Sequence, residues 1–275
     1  VTGTNTDRQR RLDTSVPNAA RRYSYWLGGK DHFGADREAG DKVAAAYPGI
    51  GVAVAENRRF LRRAVTYLAR DQGVRQFLDI GAGLPTGDDT HQIAQAIRPD
   101  ARVVYVDNDS VVLSHARALH TSAPEGVVVH IDADLREPEK ILADPDLRST
   151  LDLTQPIGLL LLAVLHFIPD ADRPHEVVAS FARGLPEGSW LVISHATYDH
   201  FTSETIAALA TTGPFYPRSR EDFVRFVDGM DVAPPGSTNL SRWRDEDEPG
   251  PRPLETDVAA YAAVAQVRSQ REGQM

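Results

Sequence analysis

Cysteine is absent from the 275 residues. That excludes disulfides, thiolate nucleophiles and cysteine metal sites, and it fits a reducing compartment. Lysine is nearly absent too, with 3 residues against 27 arginines, a bias that reads as genome composition rather than function. Long apolar runs are missing: the longest, Ile157 to Leu165, falls far short of the roughly 20 residues that span a bilayer. The opening stretch is polar and carries Arg8, Arg10 and Arg11, without the basic, apolar and small-residue order of a signal peptide. Net positive charge is also lacking, and a formal charge of −9 disfavours extensive contact with a phosphate backbone. Arg58, Arg59, Arg62 and Arg63 form one candidate basic patch, which also reads as the outer face of a packed helix. A cytoplasmic enzyme or binding protein is the simplest reading, with membrane and nucleic acid disfavoured as partners.

What is present is ordinary globular composition, 41% apolar and 25% charged, and three aspartates at the ends of strand-like runs. Asp79 lies in Phe77-Leu78-Asp79-Ile80-Gly81-Ala82-Gly83, Asp107 closes Val103-Val104-Tyr105-Val106, and Asp134 follows Val127-Val128-Val129-His130-Ile131. They fall 28 and then 27 residues apart. A strand, a crossover helix and the next parallel strand need about 30 residues, so all three carboxylates are expected at one edge of a parallel sheet, where ligands bind.

Residues 1–16 are expected to form a mobile tail, 17–73 a helical extension or lid, and 74–275 the main domain. Within the extension the pattern predicts helices over 17–27, 37–46 and 52–70, the last with Phe60, Leu61, Ala64, Val65 and Leu68 on one face. Strands are expected at about 75–80, 102–107, 127–131, 157–165, 189–195 and 261–267, with helices near 88–97, 110–120 and 172–184. Further helices are expected over 203–211 and 219–227. Residues 234–253, rich in proline and acid, read as a loop. The fold class is therefore α/β, a doubly wound sheet.

Gly81-Ala82-Gly83 begins like a dinucleotide fingerprint, but the third glycine would fall at Thr86, and Pro85 sits inside the turn. An adenosine-containing ligand is still indicated, because a strand precedes the glycines and Asp107, which can accept hydrogen bonds from ribose hydroxyls, ends the next strand. A structural turn without ligand is the plain alternative. Asp79, with Asp88 and Asp89, would repel the pyrophosphate of a nicotinamide cofactor and attract the ammonium and sulfonium of S-adenosylmethionine. A nicotinamide-dependent oxidoreductase is the weaker reading. A regulatory protein that binds the methyl donor without turning it over is a third.

These segments, with Val104-Tyr105-Val106-Asp107-Asn108-Asp109 and the upstream Tyr25-Trp26-Leu27-Gly28-Gly29-Lys30-Asp31, resemble the Rossmann-type S-adenosylmethionine-dependent methyltransferases. They look like one bacterial family among them, of undefined substrate and formerly a domain of unknown function. The resemblance covers about 17–267. It implies a mostly parallel seven-stranded sheet with an antiparallel final hairpin, in which the sixth strand, near 230–233, is poorly marked. It also implies S-adenosyl-L-methionine as cofactor and S-adenosyl-L-homocysteine as product. Asp79, Gly81, Ala82 and Gly83 then match the motif that holds the methionine part, Asp107 the ribose acid, and Ala133, Asp134 and Leu135 the adenine contact, with Asn108 beside the adenine.

Methyl transfer requires chiefly that an acceptor be held close and aligned. His166, at the end of the fourth strand region, is a candidate general base or simply a packing residue. Tyr23, Tyr25, Trp26 and His32 in the extension, and His195 after the fifth strand, are candidate acceptor-binding residues, with helix packing the plain alternative for Trp26. His195, Asp199 and His200 are too commonplace a grouping to indicate a metal, and none is expected. The acceptor-facing motif of base-methylating enzymes is absent, which favours a small-molecule acceptor. No P-loop and no nucleophile elbow is present.

Overall fold

The computed structural model describes residues 14–268; the expected tail over 1–16 lies almost wholly outside them. Eight strands form one sheet: β1 (Gln76–Ile80), β2 (Arg102–Asp107), β3 (Val127–Asp132), β4 (Gly158–Leu162), β5 (Trp190–Ala196), β6 (Asp231–Val232), β7 (Thr238–Asn239) and β8 (Ala260–Gln266). Their order is β3-β2-β1-β4-β5-β8-β6, with β7 also paired to β8. The first five strands are mutually parallel, and β8 runs antiparallel to β5, β6 and β7. The expected single sixth strand is thus two short pieces against one partner.

The helices are α1 (Ala19–Trp26), α2 (Gly34–Ala46), α3 (Ile50–Thr66), α4 (Thr90–Ile97), α5 (Ser110–Leu119), α6 (Pro138–Ala143), α7 (Pro145–Thr150), α8 (Pro174–Gly184), α9 (Ser203–Ala210) and α10 (Arg220–Val224). A π-helical turn, Tyr67–Asp71, ends α3. Alternate residues of each strand feed two cores. On one face Leu78, Val104 and Leu159 pack with Ile141 of α6, Leu147 of α7 and Phe181 of α8. On the other Phe77, Val103 and Leu160 pack with Phe60 and Leu61 of α3 and Ile93 of α4. Trp243, in the stretch read as a loop, is fully buried in that second core, edge-on to Phe60 with ring centroids 5.4 Å apart. That segment is therefore packed against the sheet.

Two expectations are corrected. The fourth strand ends at Leu162 rather than 165, because Ala163 takes a left-handed φ of 52° and turns the chain out of the sheet. Residues 138–150 hold two short helices that the apolar pattern did not mark, each with proline in its first turn, where the missing N–H costs nothing. The basic patch on α3 proves to be paired: Arg58 with Asp89, Arg59 with Glu56, Arg62 with Asp88, and Arg63 with Glu248.

The strand order reverses between β1 and β4. Crossovers lead away on either side of that point, leaving a crevice at the carboxyl ends of the strands.

Candidate active site

A cavity of about 470 Å³ opens at this crevice. It is lined by Asp79, Gly81, Ala82 and Gly83 after β1, Asp107 and Asn108 after β2, and Ala133, Asp134 and Leu135 after β3. All nine residues expected at a donor site are brought together. Register explains it: Asp79 pairs with Tyr105 and Asp107 with Asp132, so the strand ends are staggered along one rim.

The glycine turn is built for close approach. Gly81 has φ 73° and Gly83 φ 68°, and a Cβ on Gly81 would lie 2.5 Å from Val164 Cγ2. The N–H of Gly81 donates to Val106 O at 2.8 Å, holding the turn against β2. The N–H of Gly83 donates to Asp107 Oδ2 at 3.0 Å, and the N–H of Asp109 to Oδ1 at 2.9 Å. The Asp107 carboxylate is thereby oriented on both oxygens by backbone N–H groups.

Burial, chiefly, raises the Asp79 carboxyl to about 6, against a hydrogen bond from Thr90 Oγ1 at 2.6 Å. Burial also raises Asp107, opposed by its backbone donors. Asp134 is lowered, first by the hydrogen bond from Arg136, whose Nη2 lies 2.6 Å from Oδ2. Asp89 serves the fold: its carboxylate accepts from Thr86 Oγ1 at 2.9 Å and Arg58 Nη2 at 2.9 Å at the start of α4.

The extension forms the wall opposite the strand ends, through Asn18, Ala19, Ala20, Arg22, Tyr23 and Trp26. Asn18 caps α1, accepting from Ala20 N at 2.7 Å, and its Nδ2 donates to Asp109 Oδ2, the cap of α5, at 2.6 Å. Tyr23 lines the cavity with its ring, while its hydroxyl donates to Val54 O at 3.0 Å and accepts from Asn57 Nδ2 at 2.9 Å. Asn57 Oδ1 in turn accepts from Ser194 Oγ at 2.7 Å, and Ser194 Oγ accepts from Ala163 N at 3.0 Å. Trp26 lines the cavity and donates to Gly40 O at 3.2 Å. Tyr25 and His32 do not line it. Tyr25 donates to Asp41 at 2.7 Å, and His32, in the chain after α1, contacts Gly29 O at 3.0 Å. Tyr25 projects about 100° away from Trp26 around the helix.

His166 and His195 both line the cavity and are buried, and burial drives His166 well below the ordinary histidine range and His195 down to about 3. Both are neutral near pH 7. His166 Nδ1 faces the N–H of Ala196 at 3.4 Å. His195 Nδ1 donates to Ala196 O at 2.7 Å and Nε2 accepts from Arg218 at 2.9 Å, which commits both nitrogens to the fold. Asp199 meets Tyr261 Oη at 2.9 Å, and among the described residues no group of His, Cys, Asp or Glu is placed to hold a metal ion.

Six residues of this wall escape the sequence. Asn57 and Ser194 are marked only as polar residues on apolar faces. Phe167 and Phe215 pack on His166 with centroids 4.6 and 4.7 Å away, Phe167 closing a 3-10 turn after β4 and Phe215 lying in irregular chain, and Tyr198 and Phe201 follow β5.

A glycine turn, an oriented strand-end acid and the three rim carboxylates Asp79, Asp107 and Asp134 fit an adenosine compound that carries positive charge. The fold is that of Rossmann-type methyltransferases. The S-adenosyl methyltransferase family matches residues 5–268, and the chain belongs to it. It is an S-adenosylmethionine-dependent methyltransferase. A DUF574 family protein from Streptomyces avermitilis MA-4680 is similar in structure, with 38% identity, TM-score 0.86, and 92% of this chain and 98% of that one covered. A protein of Thermobifida fusca YX named as a putative methyltransferase is similar at 36% identity and TM-score 0.85, covering 94% and 97%. The magnesium protoporphyrin IX methyltransferase of Synechocystis PCC 6803, solved with S-adenosylhomocysteine, shares the fold at 15% identity and TM-score 0.51, covering 90% and 93%. No curated protein matches the chain. Neither the nicotinamide nor the regulatory reading gains support from these likenesses.

Proposed function

We propose that this methyltransferase acts on a small, largely apolar or aromatic molecule held in the same cavity as the donor. The carrying observation is the two-ended lining: Asp79, Asp107 and Asp134 with the glycine turn at one end, and Trp26, Phe167, Tyr198, Phe201 and Phe215 at the other. Asp107 would hold the ribose hydroxyls, Asp79, Gly81, Ala82 and Gly83 the methionine part, and Asn108, Ala133, Asp134 and Leu135 the adenine. The bound donor supplies a methyl carbon activated by positive sulfur.

The protein's part is to hold and to exclude water. Residues 17–73 act as a lid, since Asn18, Arg22, Tyr23 and Trp26 of its first helical segment stand across the cavity from the strand ends. Their presence there supports a small acceptor over a macromolecular one. The aromatic end supplies flat apolar surface that orients an acceptor at little entropic cost, and positioning of this kind can supply roughly 7–11 kcal/mol of a barrier. His166 is a neutral wall residue in this reading: a general base works best with a pKa near the operating pH, and burial moves this one far from it. The acceptor therefore presents a nucleophile that needs no strong base.

Incubation with labelled donor and a panel of small aromatic amines, thiols and phenols, beside tRNA and a protein mixture, tests the proposal. Label transfer to a small molecule supports it. Transfer to the macromolecules alone would overturn it.

A further inference from the structure

Three arginines line the cavity: Arg22, Arg58 and Arg136. Two have acid partners. Arg58 pairs with Asp89 at 2.9 Å, and Arg136 with Asp134 at 2.6 Å and Asp172 at 3.1 Å. The Arg22 side chain has no hydrogen bond or ion pair among the described residues, and its Nε is a buried donor without acceptor. Its one close aromatic neighbour is Trp26, whose ring centroid lies 6.0 Å from Cζ.

The nearby acids are already committed. Asp36 takes Arg21 Nε at 2.8 Å and Phe33 N at 2.8 Å on one oxygen, and Asn18 N at 2.8 Å on the other. Asp107 is held by Gly83 and Asp109, and Asp134 by Arg136. A buried Nε–H with nothing to donate to is costly, and burial lowers the Arg22 pKa. Guanidinium geometry matches a carboxylate with two parallel hydrogen bonds.

Position narrows the ligand. Asn18, at the start of α1, touches the cap of α5 beside Asp107. Trp26, at its other end, packs near Tyr198 and Phe201. Arg22 lies midway between them, about 6 Å along the helix from each, on the face they share. It therefore stands between the donor end and the aromatic end.

We infer that Arg22 is a carboxylate-binding residue of the cavity, receiving either the methionine carboxylate of the donor or a carboxylate carried by the acceptor. The inference rests on donor and acceptor sharing this cavity, as proposed above. No covalent step involves Arg22, so it is a specificity-determining residue for the known reaction.

Titration calorimetry on wild type, Arg22→Gln and Arg22→Lys separates the two sources. The probes are S-adenosylhomocysteine, 5′-methylthioadenosine, which lacks the amino-acid carboxylate, and, on the protein saturated with S-adenosylhomocysteine, benzoate and 4-hydroxybenzoate. If the donor supplies the carboxylate, Arg22→Gln weakens S-adenosylhomocysteine by about 10-fold to 100-fold, leaves methylthioadenosine unchanged, and Arg22→Lys recovers part of the loss. If the acceptor supplies it, both nucleosides bind equally to all three proteins, while the benzoates bind wild type and not Arg22→Gln. Equal behaviour of wild type and Arg22→Gln toward every probe overturns the inference, and so does an equal loss for both nucleosides. Absence of S-adenosylhomocysteine binding by wild type would instead defeat the donor site itself.

Discussion

Asn57 and Ser194 are 137 residues apart in sequence and joined by a 2.7 Å hydrogen bond at the cavity wall. The bond ties α3 to β5, and it continues to Tyr23 on one side and to the Ala163 N–H on the other. Ala163 is the residue whose left-handed backbone ends β4, so this chain of bonds holds α1, α3 and the strand end in one arrangement.

Asn57→Ala removes the acceptor of one buried hydroxyl and the donor to another. Leaving such groups unsatisfied costs about 1–3 kcal/mol. Urea denaturation is expected to show that loss, whereas an unchanged midpoint would mean water replaces the amide.

Gly81 and Gly87 both have positive φ, 73° and 85°, but differ in surroundings. A Cβ at Gly81 meets Val164 at 2.5 Å, and one at Gly87 meets nothing within 4 Å. Gly87→Ala should cost only the roughly 1–2 kcal/mol of left-handed backbone strain. Gly81→Ala should cost more and also abolish donor binding, because the turn must shift away from Val164. Equal thermal shifts for the two variants would contradict the packing described.

Acid should destabilise the protein. His91 and His130 are lowered to about 4, and His195 to about 3, in each case mainly by burial. The unfolded chain takes up protons at these sites near pH 6.5 while the folded one does not. Stability therefore falls as pH drops from about 6.5 toward 4. Asp79, raised to about 6, works the other way: the folded state keeps its proton where the unfolded state has lost it, so this group favours folding as pH falls from 6 toward 4. Histidines outnumber it, and the melting temperature should drop between pH 7 and pH 5. A flat or rising melting temperature would show the rings to be hydrated.

His166→Gln tests the positioning mechanism. Loss of a general base typically costs about 100-fold to 10,000-fold in rate. With any acceptor that turns over, the variant should lose less than about tenfold, and wild-type rate should be level in pH from 6 to 9. A collapse in rate together with loss of an acidic limb would restore His166 as base.

Much of the donor rim was legible because it is written locally. Strand-like runs ending in Asp79, Asp107 and Asp134, spaced by one crossover each, force those residues to one edge, and the glycines between them specify the turn. The opposite wall was less legible because it depends on how helices dock. Nothing in the residues around Trp26 tells which of them meet the cavity, so the sequence groups Tyr25 and His32 with Tyr23, although Tyr25 is bonded to Asp41 of α2 and His32 to the backbone of Gly29. Ala163 carries no mark of its positive φ, and the end of β4 was misplaced in consequence. Trp243 sits among prolines and acids whose local pattern is that of a loop, and its burial arises from contacts with Phe60 and Tyr67, far away in sequence.

The proposed donor site stands or falls with Asp107, whose carboxylate is aimed by backbone N–H groups, those of Gly83 and Asp109 among them. Calorimetric titration of S-adenosylhomocysteine into wild type and Asp107→Ala is the most direct measurement. Wild type should bind, and the variant should lose about 1.5–3 kcal/mol of affinity, the worth of hydrogen bonds to a charged group. Equal affinity in the two proteins, or no binding by correctly folded wild type, would contradict the site described.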